Sequence, residues 1–264
     1  SNIESSALCQ TNNGTIQNVK AVITQKTTES EVGGLVSVNN GVILDCNFEG
    51  DLKGKKIVGG ISGINNGSII DCVVQNSTID NTETSGGITG VNEGTVESCT
   101  NINSTVKGVE KVGGVAGSNK GCIKNGTVSN SIITAETIAG GVTGENSFNI
   151  SDCIVTQSSI KWNKPRGVKR STHTGYNFGG IVGYNSSILT DSSNKSEVIR
   201  CLFEDGVVKA RKEVGGLIGT LNIGQITKCE IADGQVTGDR SVGGACGLQS
   251  GGLLKDIIIE SDIE

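Results

Sequence analysis

The chain has no methionine, one proline, one tryptophan and one histidine in 264 residues, and aromatic side chains make up 3% of it. So little aromatic volume excludes a conventional spherical core, and suits one a single side chain deep that is repeated many times. One histidine and no Cys-x-x-Cys pair exclude the common zinc-ligand sets, so neither a metal nor a cofactor is expected. No apolar run approaches the ~20 residues of a membrane-spanning helix, so no membrane span is expected in this chain. The net charge of -5 and pI near 5.1 argue against general nucleic-acid binding, which needs an excess of Lys and Arg. H-E-x-x-H, G-x-S-x-G and P-loop patterns are absent as well.

What the chain has in quantity is glycine, 40 residues of it, and the glycines are periodic. Pairs fall at Gly33/Gly34, Gly59/Gly60, Gly86/Gly87, Gly113/Gly114, Gly140/Gly141, Gly179/Gly180, Gly215/Gly216 and Gly243/Gly244, in steps of 26, 27, 27, 27, 39, 36 and 28. A fixed period of this size marks a solenoid. Apolar positions recur with it: Leu35, Ile61, Ile88, Val115, Val142, Ile181 and Leu217 form one column, and Phe48, Val74, Val128, Val155, Phe203 and Ile231 another. Between columns apolar and polar residues alternate with period two and β-branched types dominate, which is strand and not helix.

The expected fold is all-β: a single-stranded parallel β-helix (β-solenoid) of about nine coils of ~27 residues, with three short strands per coil. One domain over 3–264 is expected: a degenerate first coil at 3–32, regular coils at 33–160, insertion loops at about 161–176 and 186–198, and terminal coils at 199–264. Ser1-Asn2 reads as a scar of tag removal, and the chain as a piece of a larger protein.

Two polar columns accompany the apolar ones. Cys46, Cys72, Cys99 and Cys153 sit twelve residues after the second glycine of their pairs, and Cys201 and Cys229 reach the same place once insertions are allowed. They are expected as small apolar fillers of an inward site. Asn39, Asn65, Asn92, Asn119, Asn146 and Asn185 recur at a corner, where stacked amides can donate to one neighbour and accept from the other. Asp45, Asp71 and Asp152 share the place before the cysteine. That column continues as Ser98, Asn125, Arg200 and Lys228, so no three acids stack, and it reads as a solvated strand face with no catalytic residue.

The longer steps mark insertions, which in solenoids often lie on a binding face. The first, around 161–176, holds the only Trp, Pro and His and five basic residues. Trp162, Lys164, Arg166, Lys169, Arg170, His173 and Tyr176 are its candidate ligand-binding residues, suited to sugar rings or acidic partners. The competing reading is a solvated basic loop whose Trp162 covers the side of the solenoid.

The segments Phe178-Gly179-Gly180-Ile181-Val182-Gly183-Tyr184-Asn185 and Val214-Gly215-Gly216-Leu217-Ile218-Gly219 resemble the GLUG (Gly-Leu-any-Gly) repeat, and the resemblance covers nearly the whole chain. It implies a β-solenoid segment of a secreted or surface-anchored, adhesin-like microbial protein, placed outside the cell or on its surface. The expected function is non-catalytic: an adhesive or structural stalk that presents a binding surface to a host protein or glycan through the 161–198 insertions. The alternative is a carbohydrate-active β-helix enzyme or a glycan-binding module.

Overall fold

The computed structural model describes residues 8–81, 83–164, 174–186 and 196–264. Among them there is no helix, so none long and apolar enough to cross a membrane, and the strands pair in parallel, each with its counterpart one coil away. Two of the sheets have nine strands each, giving nine coils of ~27 residues stacked as a β-solenoid. Register follows the repeat: Asn65 pairs with Asn92 and Asn92 with Asn119, and Gly86 pairs with both Gly59 and Gly113.

The expectation of three strands per coil needs correction, because the strands form four sheets. The short strand that runs into each glycine pair, such as Lys111–Gly113, is a sheet of its own. A second break divides another sheet: in one coil Thr100–Ile102 and Thr105–Lys107 are separate, whereas two coils keep a single eight-residue strand there, Val73–Asp80 and Glu230–Thr237. The residue at the break, Asn76, Asn103, Asn130, Gln157, Asp205 or Asp233, is left-handed, with φ between 48° and 51°. Asn and Asp tolerate that conformation best among residues with a side chain.

The same physics corrects the reading of the acid column. Asp45, Asp71, Ser98, Asn125, Asp152, Arg200 and Lys228 are not on a strand face; each is a left-handed corner, with φ from 51° to 56°. Asp152 and Arg200 also meet across the coils, Nε and Nη2 donating at 2.6 and 2.8 Å. The guanidinium holds the Asp152 carboxyl below the usual carboxylate range. The small stabilisation this exposed pair contributes is therefore complete at neutral pH and is lost as pH falls through that depressed value.

The interior is a set of apolar rows. The Leu35 to Leu217 column and the Phe48 to Ile231 column are buried throughout, as are Ile79, Val106, Ile133, Ile160, Val208 and Val236. One member breaks the pattern. Asn101 pairs with Val74 and Val128, so it occupies the Phe48 column, fully buried. Its Nδ2 donates to Gly114 O at 2.9 Å, but its Oδ1 has no partner. An unsatisfied buried oxygen costs about 1–3 kcal/mol, so Asn101→Val should stabilise the protein by roughly 1 kcal/mol net and raise the Tm by about 2–4 °C in a thermal melt.

The six column thiols of Cys46, Cys72, Cys99, Cys153, Cys201 and Cys229 are buried at 0–2% exposure, and all nine cysteines are thiols. Each column thiol turns onto the carbonyl two residues back, as Cys72 Sγ does onto Ile70 O at 3.2 Å. A neighbouring thiol and burial push the Cys72 and Cys229 thiols far up, so neither presents a reactive thiolate. In native buffer, Ellman's reagent should titrate at most the half-buried Cys9, Cys122 and Cys246, and the column only after denaturation.

The asparagine column is a continuous chain of amides. Each Nδ2 donates to the Oδ1 of the next coil at 2.7–2.8 Å, from Asn12 through Asn39, Asn65, Asn92, Asn119 and Asn146 to Asn185. It ends there: Asn185 donates to Ser196 Oγ, and the paired place in the next coil is Leu221 and not Asn222.

Candidate functional site

The regularity fails at one corner. In the coils up to residue 140 the strand before the glycine pair is three residues long, as in Lys111–Gly113 and Ile138–Gly140. In the last three coils it is four: Tyr176–Gly179, Lys212–Gly215 and Arg240–Gly243. Asn177, Glu213 and Ser241 stand two residues before the first glycine of their pairs, as Lys111 and Ile138 do, but all three are left-handed, with φ of 60°, 55° and 52°. A left-handed residue within a strand re-aims the side chains beside it, and for residues other than glycine that conformation is uncommon. Thr220 fixes the first of the three by donating from Oγ1 to Asn177 Oδ1 at 2.6 Å.

Because the left-handed residue repeats, the strand extends by the residue before it in each of these coils: Tyr176 pairs with Lys212, and Lys212 with Arg240. Lys212 Nζ sits 5.2 Å from the centre of the Tyr176 ring and 3.0 Å from Glu213 Oε1. Around them opens a cleft of about 330 Å³ lined by Tyr176, Arg211, Lys212, Asp239 and Arg240. Among the described residues the lining carries three cations against one carboxylate, in a chain whose net charge is -5.

Trp162 stands beside this corner. It ends the strand Ser159–Trp162 and pairs with Ala135; Asn163 N donates to Ala135 O at 2.7 Å before the chain leaves the coil. The coil resumes at Gly175, whose N donates to Glu136 O at 2.7 Å. Gly175 has φ +79°, and a Cβ there would lie 2.8 Å from Arg211 Cβ and 3.1 Å from the indole Cδ2 and Cε2. The indole thus packs over the Gly175 backbone and against the core, half-buried, with its Nε1 buried and unpartnered.

Of the candidates read from the sequence, Trp162 and Tyr176 are brought to this corner and Lys164 is exposed just beyond Trp162. Arg166, Lys169, Arg170 and His173 lie outside the described residues, as do residues 187–195 of the second insertion. No protein-family model and no curated protein matches the chain. The site therefore rests on its own geometry. Sequence reasoning missed Arg211, Lys212, Asp239 and Arg240. Nothing in the spacing marked them: Cys201 to Gly215 and Cys229 to Gly243 are both fourteen residues, as Cys72 to Gly86 and Cys99 to Gly113 are, and the extra residue in the step of 28 falls earlier, before Cys229. Among the described residues no three His, Cys, Asp or Glu side chains are grouped to hold a metal ion.

Proposed function

We propose that this chain is a non-catalytic repeat segment of a secreted or cell-surface microbial protein of the GLUG-repeat, adhesin-like kind, serving as a stalk that presents a binding surface. The observation that carries this reading is the contrast between nine coils stacked in register and one corner where a left-handed residue enters the strand and a cleft opens. Eight steps of about 4.8 Å make a rod of roughly 40 Å. Nearest-neighbour stacking lets such a rod be lengthened by adding coils. The corner column that a β-helix hydrolase or lyase would need to fill with acids is instead a mixed set of left-handed residues, with Asp152 tied to Arg200.

The glycan-binding alternative is supported by the cleft and is compatible with a stalk. Against the enzymatic alternative, the column offers only Asp45 and Asp71 on successive coils before it continues as Ser98 and Asn125, so no three acids stack. Incubation with a panel of polysaccharides, followed by assays of retention and of new reducing or unsaturated ends, separates these readings. Retention without product is expected; product formation abolished by Asp45→Ala or Asp71→Ala overturns the proposal.

A further inference from the structure

We infer that the cleft between Tyr176, Arg211, Lys212, Asp239 and Arg240 is a subsite for an acidic saccharide, a sugar unit bearing a carboxylate. The inference rests on the binding reading above and names its ligand class and its residues.

The argument starts from the lining. A cleft of about 330 Å³ is at the lower end of the size of small-molecule sites. Among the described residues no aliphatic side chain lines it, which disfavours an apolar ligand. The charge within it is uneven. Lys212 is shared between the Glu213 carboxylate and the Tyr176 ring, so it holds the wall together. Arg211 and Arg240 come from successive coils, and Arg240 N donates to Arg211 O at 3.1 Å, so the two backbones are fixed against each other. Two arginines on adjacent coils bring to the cleft the side chain that recognises a carboxylate by paired N–H donors. They do so within a chain of net negative charge, so the local field selects the acidic end of a ligand.

Asp239 makes the distinction between an acidic sugar and a bare anion. A carboxylate in the lining repels phosphate or sulfate but accepts hydrogen bonds from ring hydroxyls. The cleft thus lines one space with donors for a carboxylate and an acceptor for hydroxyls, the two kinds of group that a uronic acid presents. Among the described residues, the left-handed conformation at this place is confined to Asn177, Glu213 and Ser241, the coils that carry the cleft.

The test uses the whole 264-residue chain, oligogalacturonate as probe, its methyl ester as neutral control and inorganic sulfate as competitor, with calorimetry as the readout. Binding of the oligogalacturonate, at least tenfold weaker binding of the ester, and weakening with salt are expected. Arg240→Gln, at an exposed position, should lower affinity at least tenfold without moving the Tm, and Asp239→Asn should lower affinity for oligogalacturonate while raising it for sulfate. No binding by the unaltered chain, equal binding of the ester, or sulfate binding as tightly as the sugar acid overturns the inference. If the chain is retained on another polysaccharide and Arg240→Gln leaves that retention intact, the cleft assignment falls while the stalk proposal stands. New reducing ends would remove the stalk proposal instead.

Discussion

Gly87→Ala should unfold the central coils, at a cost of at least about 4 kcal/mol, in the range reached only by severe core disruption. A Cβ at Gly87 would fall inside the carbonyl oxygen of Gly114 on the next coil and against the amide of Asn101. The first obstacle is backbone, which cannot rotate away, so relief requires separating two coils along the axis. That separation breaks the ladder on every face of the coil at once. Gly126→Ala is the control. Gly126 occupies the cysteine column between Cys99 and Cys153, and a Cβ there would lie 3.4 Å from Cys153 Sγ and from Val115 Cγ2, an ordinary contact. That substitution fills space and restricts the unfolded chain, for a gain of about 0.4–1 kcal/mol. The two variants differ by one methyl each, and chemical denaturation monitored by circular dichroism should move them in opposite directions.

Replacing Asn92 separates a stacked amide from a merely buried one. Its Nδ2 donates to Asn119 Oδ1 at 2.8 Å, Cys122 O at 3.1 Å and Gly94 O at 3.3 Å, and its Oδ1 accepts from Asn65 Nδ2 at 2.8 Å. Asn92→Ala leaves these partners facing a void, for a loss of about 3 kcal/mol. Asn92→Asp should be worse at neutral pH, although it is nearly isosteric. It turns three donations into repulsions by placing a buried carboxylate against three oxygens. An Asp variant at least as stable as the Ala variant would remove the hydrogen-bond explanation. Because stability in a stack is set by nearest neighbours, hydrogen exchange should accelerate most in the coils flanking residue 92 and less in those around residues 40 and 230.

The architecture was readable because one chemical requirement recurs at one place in every coil. Each inward row, from Leu35 to Leu217 for example, samples the same pocket repeatedly, and the shared apolar character survives the variation between Leu, Ile and Val. The corners were not readable by the same means. A left-handed residue can be Asp45, Ser98, Arg200 or Lys228, because what they share is a backbone angle and not a side-chain chemistry. Alternation with neighbouring strands then makes them look like a polar strand face. A second ladder escaped for a related reason. Ser77, Ser104, Ser131 and Ser158 are buried, and the backbone N of each of the first three donates to the Oγ of the next. In a chain this rich in serine such a column resembles surface. The cleft was half visible: Tyr176, and Trp162 beside it, stood out by rarity, while Arg211 and Arg240 sit in stretches of ordinary repeat length and carried no such mark.

The amide chain from Asn12 to Asn185, like the bonds between strands, runs from coil to coil along the rod. Tension applied at the two ends therefore meets these bonds one coil at a time rather than all in parallel. A coil that peels away exchanges a rise of about 4.8 Å for roughly 90 Å of extended chain. Under load the solenoid is consequently a reservoir of length, able to yield in steps near twentyfold its folded rise while the coils behind the peeling front keep their form.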